Sequence, residues 1–232
     1  MHDGLKVIGF DGLHRCGKST QIRMLMQLLA SEGIPVYALR GDGRRYGTGL
    51  EIHDPFSLWW QRNQSFFENL PEDKDGKKLA IDRAYQRTAR EIEYCKRRIM
   101  KVHGELGVLL LDRTFISRYF VIRQLSPNVS LEDALTIRHE KNSKMLLPVF
   151  PDITFVLNVG YDELMRRCEM VPNDPKKDFR KRNLERHYAL FAETLDMLTL
   201  KAVANMKLIN GEYTPGDVHH KIKTEVLKLV IS

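Results

Sequence analysis

Apolar positions along this chain fall into two patterns. Short continuous runs rich in β-branched and large aliphatic residues occupy residues 5–11, 35–40, 108–112, 153–159 and 206–209. Between them lie longer stretches with helical spacing. At 18–32, Ile22, Leu25, Leu28 and Leu29 share one face and Gly33 stops the helix. Continuous apolar strands separated by helices predict a parallel sheet covered on both faces, the α/β class, here with five strands. Ligands of such sheets bind outside the carboxyl ends of the strands. Two further helices are expected at about 48–69 and 77–102, separated by the charged break PEDKDGKK. The stretch MVPNDPKKDFRKR has two prolines and many basic residues, so it reads as an exposed flap.

Composition narrows the picture. A chain of 232 residues fits one domain, 1–232, with a lid segment at about 166–182. Hydrophobic residues are 43% and charged residues 29%, which argues against a disordered chain. No apolar run reaches the roughly 18 residues of a membrane span, and the N-terminus lacks the pattern of a signal peptide. Cys16, Cys95 and Cys168 show no paired spacing, so reduced thiols and a cytoplasmic location are expected. The eight histidines form no zinc-type cluster. The net charge of +7 calls for anionic partners, and phosphorylated small molecules are expected over nucleic acid.

The chemistry begins at Gly12-Leu13-His14-Arg15-Cys16-Gly17-Lys18-Ser19, which fits G-x-x-x-x-G-K-[ST] between a strand and a helix. Gly12 and Gly17 permit the backbone turns that aim N–H groups at one phosphate. The next helix adds unpaired donors, Thr20 among its first residues, and a positive dipole end. Lys18 is expected at the outer phosphates of a nucleoside triphosphate, and Ser19 at Mg²⁺. Cys16 reads as a small residue that fits, although a helix N-terminus can also lower a thiol pKa.

Other candidates lie elsewhere. Asp112 ends the third strand, where a carboxylate either helps hold Mg²⁺ or caps a helix. Arg113 beside it can neutralise charge between two phosphates. Arg40, Arg44 and Arg45 follow the second strand and either grip a second phosphate or sit in a solvated loop. Arg83 either pairs with an acid such as Asp82 or faces a cleft. Arg166 and Arg167 either satisfy a helix end or reach the γ-phosphate when a lid closes. Trp59, Trp60, Phe66 and Phe67 read as core more readily than as a base-stacking platform.

With these residues in place, the chain resembles the thymidylate kinases, which are P-loop nucleoside monophosphate kinases. GFDGLHRCGKSTQ is similar to the family's phosphate loop, with Arg15 at its loop arginine. LLLDRTFIS is similar to its Asp-Arg motif, and Ser117 keeps the serine. LRGDGRRYGTG and LAIDRAYQ place Arg44 and Arg83 at the arginines that hold the acceptor phosphate. DFRKRNLERHYALFAE and LINGEYTPGDVHHKI match the helix after the lid and the last strand with its adenine-side loop. The resemblance implies a P-loop, three-layer α/β/α fold with a mobile lid. It also implies transfer of a phosphoryl group from ATP, with Mg²⁺, to a monophosphate such as dTMP. Lys18, Arg15, Arg113 and Asp112 would be catalytic. Asp11, His14, Arg40, Arg44, Leu79, Arg83, Arg113 and Ser117 would face the acceptor. Residues 12–20 with Arg166 and Arg167 would face ATP.

The departures concern the acceptor pocket. His14 stands where the family has an acidic residue that recognises the sugar, and Leu79 where an aromatic ring stacks on thymine. Thr114 replaces an aromatic residue, and Val121-Ile122 replace Tyr-Gln. A related acceptor, or another small phosphorylated metabolite or nucleoside, is the alternative. An ATP-binding switch or nucleic-acid-associated ATPase is the alternative of another class. Family members dimerise through helices, and the apolar content of 56–70 is compatible with a homodimer.

Overall fold

The computed structural model describes residues 5–40, 97, 101, 107–125, 137–138, 145–146, 151–171, 177–200 and 205–231. All five expected strands form: β1 (Lys6–Asp11), β2 (Val36–Arg40), β3 (Val108–Asp112), β6 (Ile153–Asn158) and β7 (Met206–Asn210). They make one parallel sheet in the order β2-β3-β1-β6-β7. Every residue of β3, and all but one in each of β1 and β6, is buried. Burial on both faces is why these strands read as unbroken apolar runs. β7 is an edge strand with Leu208 exposed. The expected and observed strand ends differ by at most one residue, and the third strand has the bounds expected.

Helix α1 (Lys18–Ser31) buries Ile22, Leu25, Met26 and Leu29 completely. It ends in a Schellman turn. Gly33, at φ 71°, donates to the Ala30 carbonyl, and Ile34 N–H bonds the Leu29 carbonyl. Helix α2 (Phe115–Leu125) follows β3, and α3 (Tyr161–Glu169) follows β6. Helix α4 is Lys177–Leu200 and α5 is Pro215–Ile231. α1 packs on α5, while α2 and α3 pack on α4. Phe120 of α2 meets Phe191 of α4 edge to face at 5.4 Å. The helices thus fall into two groups around the sheet, as an α/β/α arrangement requires.

Two features differ from the sequence reading. A small antiparallel pair, β4 (Ile137–Arg138) with β5 (Met145–Leu146), was not expected. The segment read as one exposed flap is helical from Lys177 onward, because its basic residues form the first turns of α4. The apolar face that holds α4 comes later, with Leu184, Phe191, Leu195 and Leu198 buried. Of the helices expected at 48–69 and 77–102, only Arg97 and Lys101 are among the described residues, and both are helical. Among the described residues no helix is long and apolar enough to cross a membrane.

The topology also places a crevice. β1 connects to one side of the sheet and its neighbour β3 to the other. Their carboxyl ends therefore lie at a switch point, where the connecting loops diverge and leave room for a ligand.

Candidate active site

The loop after β1 crosses this crevice. Gly12 takes φ 136° and Gly17 φ 104°. A Cβ on Gly12 would lie 2.7 Å from both the Cys16 sulfur and the Leu157 carbonyl oxygen. The position therefore needs glycine for conformation and for space. Gly17 is the N-cap of α1. No side chain caps that helix, and its first turn carries no acid. Its leading N–H groups face the loop with the positive end of the helix dipole. Ser19 and Thr20 are half-buried in that first turn. Leu13 and Cys16 are buried beneath the loop.

Lys18 is buried and turned back onto its own loop. Its ammonium donates to the Gly12 carbonyl at 2.8 Å and the Leu13 carbonyl at 2.9 Å, and to the Cys16 sulfur at 3.4 Å. A cation already centred in the loop needs only a side-chain rotation to meet an incoming phosphate.

The second wall is the end of β3. Asp112 is buried there. The register pairs it with Phe10 of β1 and with Arg40 of β2, so the backbone of Arg40 reaches the same end of the sheet. Arg113 takes φ 83°, and its side chain is exposed. Arg15 takes φ 66°. Among the described residues these are the two non-glycine positions with positive φ, one on each side of the crevice. Such strain costs of order 1–3 kcal/mol per residue and concentrates at functional sites.

A buried carboxylate ties the two walls together. Asp11 is fully buried. It accepts from the Thr114 N–H at 2.8 Å and the Thr114 hydroxyl at 2.5 Å, from the Ser117 hydroxyl, and from the Gly12 N–H at 3.3 Å. Ser117 accepts in turn from the Arg113 guanidinium at 3.2 Å. The contacts of Asp11 therefore run to protein groups that fix both Gly12 and Arg113. Thr114 supplies two of these bonds, one from its backbone and one from its hydroxyl.

His14 reaches solvent at the crest of the loop. Its imidazole is held well below its ordinary pKa, first by the protein packed around the ring. Arg113, Lys18, Arg180 and His187 add to this. A neutral ring among these cations can accept or donate one hydrogen bond without opposing an anion. Arg180 and His187 lie on α4, and the sequence reading singled out neither. The signal was only the basic run DFRKR, which did not say that it faces the phosphate loop.

Arg166 and Arg167 are both engaged. Glu163 binds Arg166 through two bonds of 2.6 and 2.7 Å and accepts from Arg167 at 2.6 Å. Hydrogen bonds from Arg166 and then Arg167 lower its pKa to about 2. Arg167 also donates to the Arg15 carbonyl at 3.3 Å and the Gly211 carbonyl at 2.8 Å. Arg44, Leu79 and Arg83 lie outside the described residues.

The crevice thus joins a phosphate loop, a buried aspartate and at least two arginines at neighbouring strand ends. Asp112 and Ser19 supply hard oxygen donors of the kind Mg²⁺ takes.

No family model matches the chain. It is 25% identical over 220 residues to a thymidylate kinase of Rickettsia typhi, spanning 94% of this chain and 95% of the relative. A thymidylate kinase of Rickettsia canadensis is 26% identical over 175 residues, 75% of each chain. One from Thermoanaerobacter sp. is 23% identical over 164 residues, 70% of each. Along most of its length, and with the parallel sheet that carries its phosphate loop, the chain is similar to the thymidylate kinases.

Proposed function

We propose that this protein transfers the γ-phosphoryl group of ATP to a nucleoside monophosphate, giving ADP and a diphosphate, in the manner of a thymidylate kinase. The observation that carries this is the meeting of the phosphate loop with Asp112-Arg113 across the β1–β3 crevice. The similarity to thymidylate kinases over 94% of the chain supports the same reading.

Two multiply charged anions must approach in line. The work is positioning and charge neutralisation, and no covalent intermediate is needed. In this reading the loop amides and Lys18 hold the donor phosphates, and Arg15 adds charge at the transfer point. Arg113, steered by Ser117 and Asp11, meets the transferring group. Arg40, Arg44 and Arg83 bind the acceptor phosphate, and Leu79 lies at the base. Asp112 and Ser19 would hold a magnesium ion, which would screen phosphate charge. Of the lid expected at 166–182, the stretch beyond Arg167 acts as the lid.

His14 favours a second reading, in which the acceptor is a monophosphate other than dTMP. An acid at that position accepts hydrogen bonds and repels anions, whereas a neutral ring among Arg113, Lys18 and Arg180 tolerates an anionic group. The test is ADP release with Mg·ATP across dTMP, dUMP, UMP, CMP, dCMP, AMP, GMP, dGMP and no acceptor. Preference for dTMP supports the first reading and preference for another monophosphate the second. Turnover indifferent to every acceptor would sink both.

A further inference from the structure

We propose that Arg167 is a positioning residue, a strut that holds the phosphate loop against α3 and the loop after β7, and not a lid arginine that reaches the γ-phosphate. This rests on the nucleotide-binding reading above and deepens it.

Three segments distant in sequence meet at this one guanidinium. One N–H bonds Glu163, four residues back on α3. A second bonds the carbonyl of Arg15, where the loop backbone is at φ 66°. A third bonds the carbonyl of Gly211, just beyond β7. A planar guanidinium with donors in a fixed fork suits such a junction, and lysine, with a single point of donation, does not. Gly211 sits where it does by close approach. A Cβ there would lie 2.6 Å from the Val159 side chain and 3.2 Å from the Cys16 carbonyl oxygen. Gly211 also donates to the Asn158 carbonyl at 2.7 Å, and the Gly160 N–H donates to Glu212 at 2.7 Å. The back of the phosphate loop is therefore braced by the β6–α3 and β7–α5 loops, with Arg167 spanning them. Its side chain is 23% exposed and shares Glu163 with Arg166, which is 58% exposed. A strained loop conformation persists only where its surroundings over-determine it, and this junction supplies that constraint at Arg15.

The two roles separate in binding. A γ-phosphate ligand affects ATP and leaves ADP untouched. A strut shapes the loop that receives the inner phosphates, so both nucleotides suffer together. We expect Arg167→Ala to weaken Mg·ADP and Mg·ATP by the same factor, about tenfold, the scale of losing charge-assisted hydrogen bonds. Arg167→Lys should restore only part. Amide exchange measured without nucleotide should speed up across residues 12–19 in Arg167→Ala, with β3 unchanged. Gly211→Ala, which displaces the carbonyl that receives the guanidinium while leaving Arg167 itself in place, should do the same. Loss of ATP affinity alone, or unchanged exchange in the loop, would overturn the proposal. If the parent protein binds neither nucleotide while loop exchange still responds, the nucleotide reading fails and the strut stands.

Discussion

Arg113 sits at φ 83°, in a conformation that a side chain makes unfavourable, yet its side chain is exposed and hydrogen-bonded only to Ser117 among the bonds described above. Strain of this kind is explained when the side chain has work to do in the crevice. Arg113→Gly should therefore raise stability by about 1 kcal/mol in thermal unfolding, since glycine enters the left-handed region freely. The same change should lower phosphoryl transfer by about a hundredfold or more. A less stable Arg113→Gly protein would show that the conformation is not strained. Histidine charge gives a second test. His187 and His219 have pKa values below the ordinary one, each first by burial, and His14, though it reaches solvent, is lowered by the protein packed around its ring and then by neighbouring cations. Below about pH 6.5 the unfolded chain takes up protons that the folded chain refuses, so stability falls as pH drops and levels off above pH 7. The melting temperature should decline between about pH 7.5 and 5.5, and His14→Gln should flatten the slope. Glu163 adds nothing in that window, because its lowered pKa acts only below the ordinary carboxylate range. A flat profile for the parent protein would mean these rings protonate freely in the fold.

At the scale of elements, the phosphate loop depends on packing as much as on its own sequence. Gly12→Ala would force a methyl group onto the Leu157 carbonyl and the Cys16 sulfur at a backbone angle that side chains avoid. We expect a loss of roughly 2–4 kcal/mol in denaturant unfolding together with lost nucleotide binding. A stable Gly12→Ala protein that still binds nucleotide would contradict the loop's assignment. What could be read beforehand follows the same division. The loop was legible because its residues are contiguous and flanked by a strand and a helix. The central strands were legible because burial on both faces leaves their middles almost wholly apolar. α4 was partly hidden, because its first turns are charged and its buried face starts at Leu184. The pairing of β4 with β5 involves two residues from each strand, too short for any period. Contacts between distant segments, such as Thr114 with Asp11 or Arg167 with Gly211, leave no local pattern to read.

For the molecule as a whole, the sheet order places the two halves of the candidate site side by side. β1 delivers the loop and β3 delivers Asp112-Arg113, with direct backbone pairing between them. Lys18 is central to the phosphate end of this arrangement. Lys18→Ala should nearly abolish transfer, while far-ultraviolet circular dichroism stays that of the parent. Unchanged turnover would remove the phosphate loop from the mechanism. The +7 charge suits two phosphate-bearing substrates held at once, and it also suits an ATPase that works on nucleic acid. The two differ in where the terminal phosphate goes. The most direct measurement is a single turnover with γ-labelled ATP, Mg²⁺ and a nucleoside monophosphate, following the label. The account predicts label in the nucleoside diphosphate, dependent on the acceptor and absent in Lys18→Ala. Label released only as inorganic phosphate, at a rate the acceptor does not change, would contradict it.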